Sequence, residues 1–232
     1  MAIDLYESLD GQVALVTGAS RGIGRELASG LADIGATVYG GGRDAEDVAA
    51  PSVEPVELDV TDDTQIERAI ARIEAERGQL DVLVNNAGIH GPDGGVGEAG
   101  IEGFDRTIAT NVRGPYRLSQ AALPLLLAEP GGRVVNVSSR AGQFADGMDG
   151  GHAPYAISKA ALNALTATLD GAYGEDGLLA NAYCPGWVRT NMGGEDAPRS
   201  TAEGADTGRY LARFRPGSPS GRFWAERSIV DW

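Results

Sequence analysis

The feature that most constrains this chain is the passage from Val13-Ala-Leu-Val-Thr17 straight into Gly18-Ala-Ser-Arg-Gly-Ile-Gly24. A continuous apolar run that stops at glycines reads as a parallel strand buried on both faces. Helical spacing begins at once through Ile23, Leu27, Leu31 and Ile34, and Gly35 stops it. The same order then recurs. Thr37–Tyr39 and Val53–Leu58 predict two more strands, Asp62–Arg77 a surface helix capped near Thr61 and Asp62, and Leu80–Val84 a fourth strand. A long helix from about Glu102 to Leu127, a strand at Gly132–Val137, a second long helix from Pro154 to Tyr173 and a strand at Leu178–Cys184 follow. Alternation of this kind predicts an α/β fold: one domain over residues 1–232, with a single doubly wound parallel sheet of Rossmann type and helices on both faces. Gly40–Gly42, Gly91–Gly97 and Gly147–Gly151 read as loops, and the turn-rich tail from about residue 198 reads as irregular.

Composition narrows the function. The formal net charge of −14 repels a phosphate backbone, so nucleic acid is an improbable partner. No apolar run is long enough to span a membrane, and the opening Met1–Asp10 lacks the basic and apolar blocks of a secretory leader. A cytoplasmic protein is the expectation. The single cysteine, Cys184, excludes an intrachain disulfide and a cysteine-based zinc site, and reads as a small core residue. His90 and His152 lie far apart in sequence within glycine-rich loops, so no metal site is expected from them. Of 19 basic residues, 18 are arginine and only Lys159 is lysine. Codon usage could produce this ratio; with the acid excess it also resembles the surface of proteins from salt-loving organisms.

The glycine turn can hold a nucleotide. Glycines let the backbone approach a pyrophosphate closely, and the following helix offers oriented N–H donors. The spacing is Gly-x3-Gly-x-Gly rather than the general Gly-x-Gly-x-x-Gly. At the end of the second strand, an acid would accept hydrogen bonds from a ribose and favour NAD. The turn here reads Gly40-Gly-Gly-Arg43, with Arg43 available to a 2′-phosphate and Arg21 able to flank it, which tilts the choice to NADP(H). Asp44 is the competing partner for Arg43.

Polar residues gather at the other strand ends. Asn85-Asn86-Ala87-Gly88 closes the fourth strand, Ser138-Ser139 the fifth and Pro185-Gly186 the sixth, with Thr190 beyond. Tyr155 and Lys159 lie four apart at a helix start, hence on one face. Carbonyl reduction needs a hydride on carbon and a proton on oxygen. A free tyrosine holds its proton too tightly for this at neutral pH, and a nearby ammonium stabilises the phenolate. Such a pair is common on helices and Asn85-Asn86 could be only a turn; the joint order of the parts carries the reading. Asn136-Val-Ser138 fits a glycosylation pattern but falls in a buried strand.

Together these motifs resemble the classical short-chain dehydrogenase/reductase family from about Gly11 to Thr190. The resemblance implies that Ser139 orients a substrate carbonyl and Tyr155 donates its proton. Lys159 would lower the tyrosine pKa and hold the ribose, and Asn111 would order a relay water. Gly18, Ser20, Arg21, Gly22, Ile23, Gly24, Asn86, Ala87, Gly88, Pro185 and Gly186 would line the cofactor. Asp59 and Val60 would contact adenine, and Val188 and Thr190 the carboxamide. Ser139 is preferred to Ser138 because Ser139-Arg-Ala-Gly142 fits the family's Ser-x-x-Gly pattern.

Two departures stand out. The Ser139-to-Tyr155 interval is longer than the family's commonest spacing and holds Gln143, Phe144, Met148 and Asp149, so the pocket shape cannot be carried over. The tail, Gly221-Arg-Phe-Trp-Ala-Glu-Arg227 with Trp232, looks like that of carbonyl-reductase-type members, as do Asn163-Ala-Leu-Thr166 and Cys184-Pro-Gly-Trp-Val-Arg-Thr-Asn-Met192. The resemblance therefore implies an NADP(H)-dependent reductase of small ketones or aldehydes, forming a homo-oligomer (dimer or tetramer) through its long helices. A 3-oxoacyl thioester reductase is the alternative, and a non-catalytic nucleotide sensor the more distant one. If the acidic surface is an adaptation to salt, the thermal midpoint should rise between about 0.1 M and 2 M KCl, as the screening length shrinks toward about 3 Å. A flat or falling melting curve would leave codon usage as the explanation.

Overall fold

Every residue of Val13–Thr17, strand β1, is buried. In the computed structural model, which describes residues 3–148 and 150–232, β1 sits inside an eight-stranded sheet. The other strands are β2 (Thr37–Gly42), β3 (Val53–Glu57), β4 (Val82–Asn85), β5 (Arg133–Val137), β6 (Leu179–Cys184), β7 (Arg222–Ala225) and β8 (Ser228–Val230). Their spatial order is β3-β2-β1-β4-β5-β6-β7-β8, parallel throughout except for the antiparallel β7–β8 pair. Met1, Ala2 and the loop residue Asp149 lie outside the described residues.

Alternate residues of each strand feed two cores. Ala14 and Val16 pack with Leu27, Ala28 and Leu31 of α1 (Gly22–Ala32) and with Leu211 and Ala212 of α6 (Thr201–Ala212). Val13 and Leu15 pack on the opposite face with Ile66 and Ile70 of α2 (Asp63–Arg77), Leu118 and Ala122 of α4 (Gly114–Leu126), and Leu169 of α5 (Ala153–Tyr173). Asp62 caps α2, accepting from the N–H groups of Thr64 and Gln65 at 2.8 and 3.2 Å, and the left-handed Gly78 closes it. The single long helix expected from about Glu102 to Leu127 is α3 (Ile101–Ile108) and α4 joined by a wide π turn at Ala109–Arg113. No helix among the described residues is long and apolar enough to cross a membrane.

Two expectations are corrected. Gly40–Gly42 are not a loop but the buried end of β2. A Cβ on Gly40 would come within 2.7 Å of both Val48 and Val53, so only glycine lets those side chains close over the strand. The tail from about residue 198 is not irregular. Ser200 and Glu203 form a reciprocal capping box that starts α6, and β7 extends the parallel sheet. Trp224 of β7 is fully buried, and its Nε1 donates to Asn181 Oδ1 of β6 at 3.0 Å. At the edge, Phe223 stacks on Trp232, whose carbonyl accepts from the Ala145 N–H at 2.9 Å.

Candidate active site

All strands from β1 to β6 point their carboxyl ends at one edge, and the strand order reverses between β1 and β4, where such sheets open a crevice. Thr17, the last residue of β1, fixes the distance across that opening. Its Oγ1 donates to the Val84 carbonyl (3.3 Å) and accepts from the N–H groups of Asn86 (3.0 Å) and Ala87 (2.9 Å). Asn86 Nδ2 returns hydrogen bonds to the carbonyls of Thr17 (2.8 Å) and Gly18 (3.3 Å).

The glycine turn packs onto this join. Gly18 has φ of +65°, a conformation that suits glycine, and a Cβ there would lie 3.0 Å from Ala87 Cα. A Cβ on Gly24 would strike the Gly18 carbonyl oxygen at 2.2 Å, so α1 can begin this close to β1 only with glycine. Arg21, the N-cap residue, makes no side-chain cap, and the first turn carries no acid. The N–H groups at that terminus thus stay available to an anion. Thr190 overhangs the turn, its Cγ2 being 3.3 Å from where a Cβ on Gly22 would lie, and Val188 beside it is buried. The bare helix end and the glycine cradle fit the diphosphate of a nicotinamide dinucleotide. Ser20 and Ile23, half-buried, belong to the same turn.

Arg43 is exposed at the end of β2 and has no ion pair or hydrogen bond among the described residues. Asp44 does not take it, because the Asp44 carboxylate accepts from the Glu46 N–H at 2.9 Å. Asp59 likewise has its Oδ1 occupied by the N–H and hydroxyl of Thr61, at 2.9 and 2.7 Å, while Val60 is buried beneath α4. Pro185 and Gly186 follow β6, and Gly186 has φ of +80°.

Across the crevice, the reacting residues expected from the sequence are brought together. Lys159 is buried and donates from Nζ to the Val137 carbonyl at 2.8 Å, with Nζ 5.5 Å from the centre of the Tyr155 ring. Asn111, in the π turn, accepts from the Ile89 N–H (2.9 Å) and donates to the Ile89 carbonyl and to Ser158 Oγ (2.8 and 3.0 Å). Its Oδ1 is 3.2 Å and Lys159 Nζ 3.7 Å from where a Cβ on Gly88 would lie, so Gly88 adds no side chain beside the buried ammonium. The two serines divide as the motif implies. Ser138 is buried and donates to Asn163 Oδ1 at 2.5 Å, whereas half-buried Ser139 is hydrogen-bonded to the Tyr155 side chain.

The electrostatics depart from expectation. Burial pushes the Tyr155 hydroxyl up to about 12, with the Ser139 hydrogen bond pulling against it. Burial also pushes the Lys159 ammonium down to about 8. The lowering of tyrosine by lysine expected from the sequence does not govern Tyr155 in the chain alone, where withdrawal from water does. Sequence reasoning also missed a neighbour. His90 and His152, set aside as too far apart, lie with ring centres 4.8 Å apart, and His90 stacks on Tyr155 at 4.9 Å. No local sequence signal reports that proximity, since it depends on how two loops meet.

Comparison with known proteins agrees with this geometry. The family model described as short chain dehydrogenase matches residues 12–200. The 3-oxoacyl-[acyl-carrier-protein] reductase FabG of Escherichia coli (strain K12) is 36% identical over 191 residues, covering 80% of this chain and 77% of that protein. Gluconate 5-dehydrogenase of Gluconobacter oxydans (strain 621H) is 38% identical over 198 residues, covering 82% and 75%. Among solved structures, carbonyl reductase Sniffer of D. melanogaster superposes with a TM-score of 0.86 at 26% identity, covering 96% of this chain and 100% of that one. Ligand-free aldohexose dehydrogenase AldT of Thermoplasma acidophilum gives 0.80 at 27% identity, covering 90% and 89%.

The join at Thr17 can be tested by Thr17→Val, which keeps the shape and removes the hydroxyl. The Ala87 N–H loses its acceptor while the Asn86 N–H keeps the Val84 carbonyl at 3.1 Å, and urea unfolding should report a loss of about 1–3 kcal/mol. A change within about 0.5 kcal/mol would mean that the hydroxyl does not set the spacing.

Proposed function

The chain belongs to the short chain dehydrogenase family of oxidoreductases, and on that premise we propose that it interconverts a ketone or aldehyde and an alcohol with NADP(H). The observation that carries the reading is the arrangement of Ser139, Tyr155 and Lys159 at the carboxyl edge of β5, facing the glycine turn that ends β1. When bound, the nicotinamide dinucleotide supplies or accepts a hydride. Ser139 and Tyr155 orient the carbonyl oxygen by hydrogen bonds. Tyr155, which holds its proton at neutral pH, donates it to that oxygen as hydride reaches the carbon, and the alcohol forms. Lys159 directs one N–H to Val137 and keeps two for the ribose hydroxyls, and its charge favours the phenolate left behind. Asn111, its side chain committed to Ile89 and Ser158, would order a relay water from the main chain of the π turn. Asp59 and Val60 would hold the adenine, Val188 and Thr190 the carboxamide, and Arg43 with Arg21 the 2′-phosphate.

The loops after β4, β5 and β6 present Ile89, Phe144, Met148, Trp187 and Met192 to solvent, which supports a substrate with an apolar substituent. The similarity to a 3-oxoacyl-[acyl-carrier-protein] reductase favours a second reading, a 3-oxoacyl thioester substrate at the same site. Tyr116 on α4 and Ile157 on α5 are exposed, as a dimer or tetramer built on those helices would require. NADPH oxidation with small ketones, aldehydes and acetoacetyl-CoA separates the readings; turnover of acetoacetyl-CoA alone would favour the thioester. Tyr155→Phe should lower kcat by about 10²–10⁴-fold with little change in NADPH binding, and undiminished turnover would remove Tyr155 from the chemistry. Arg43→Ala removes a charge-assisted contact of about 1.5–3 kcal/mol, so KM for NADPH should rise about 10- to 150-fold while that for NADH stays level. An equal loss with both cofactors would make Arg43 structural.

A further inference from the structure

Asp93 lies between the two histidines of the chain. Its Oδ1 is 3.5 Å from His90 Nδ1 and 3.2 Å from His152 Nδ1, and the three candidate ligand atoms all fall within 4.8 Å of one another. Neither short contact is a hydrogen bond; His152 Nδ1 is shielded from water yet has no hydrogen-bond partner. Two ring nitrogens brought to one carboxylate oxygen, neither of them hydrogen-bonded to it, form a set of donors that one cation among them would hold together. Donors about 2.0–2.1 Å from a tetrahedral ion stand about 3.3 Å apart, close to both separations seen here.

The three donors are held before any ion arrives. The Gly94 N–H donates to the Gly151 carbonyl at 2.8 Å, and the Ala153 N–H donates to the Gly94 carbonyl at 3.1 Å. These bonds join the loop carrying Asp93 to the loop carrying His152. The stacking of His90 on Tyr155, with rings inclined by 28°, fixes the third donor. Two imidazoles and a carboxylate suit a borderline transition metal better than Mg²⁺ or Ca²⁺.

We propose that His90, Asp93 and His152 bind one divalent transition-metal ion of the Zn²⁺ class at the mouth of the candidate active site. The ion would tie the loop after β4 to the loop before α5 and keep at least one position for an outside donor. The inference does not rest on the redox reading, since none of its ligands is among the residues assigned to carbonyl reduction.

The test uses the full chain, stripped with EDTA and titrated with ZnCl₂ by calorimetry. One ion should bind per chain in the micromolar range or tighter, and the thermal midpoint should rise with Zn²⁺ but not with Mg²⁺. Even partners behind a metal ligand are worth about 10–100-fold in affinity, so His152→Gln and Asp93→Asn should each weaken binding by at least about tenfold. The chain has only two histidines, so the imidazole NMR signals of the unaltered protein come from His90 and His152 alone. Both should shift together as one equivalent of Zn²⁺ is added and return with EDTA. Binding no tighter than millimolar, unchanged affinity in the two variants, or Zn²⁺ uptake that leaves both imidazoles unmoved would each overturn the proposal.

Discussion

Parallel pairing of β1 with β2 on one side and β4 on the other is the constraint on which the rest depends. With the other parallel pairs it puts the carboxyl ends of seven strands on one edge and forces each connection between them to cross a face of the sheet. Because the order reverses at β1, loops leave in opposite directions there and open a crevice. The hydroxyl of Thr17 sets its width by accepting from both N–H groups that begin the next loop. The glycine turn and the loop after β4 are thereby held as one wall.

The opposite wall is held by polar groups buried under α5. Asn85 donates to Asn136 Oδ1 at 2.8 Å, and Asn136 in turn donates to Thr166 Oγ1 at 2.8 Å, so β4, β5 and α5 share one chain of hydrogen bonds. Ser138 adds its bond to Asn163 one turn nearer the site. Each such group would cost about 1–3 kcal/mol if left unpaired, which penalises any rotation of α5. The helix can present Tyr155 and Lys159 to the crevice in one orientation only. Lys159 reaching Val137 then locks the N-terminal part of the helix.

Much of this was legible in the chain. The continuous apolar run Val13–Thr17 marked a strand covered on both faces, shorter runs marked five more, and spacing by four placed Tyr155 and Lys159 on one side of a helix. Other parts left no such mark. Gly40–Gly42 resemble a loop because a glycine that makes room for Val48 and Val53 is indistinguishable, in one dimension, from a glycine that turns. In α6 the buried positions include Gly204, Ala205 and Gly208, small residues that let α6 lie close to α1, and they give no apolar periodicity. The usable signal there was Ser200-x-x-Glu203. The titration of Tyr155 and the meeting of His90 with His152 depend on burial and on loop contacts that no local pattern contains.

The bond from Ala145 to the carbonyl of Trp232 joins the loop after β5 to the outermost ribbon of the sheet. Trp232 is also stacked on Phe223, so freeing the loop at that point loosens β7 and β8 as well. Loop and ribbon thus belong to one cooperative opening unit, with a shared free energy of local unfolding. A break at the far margin of the sheet would accordingly free the loop that follows β5 as well, although the two are far apart in sequence.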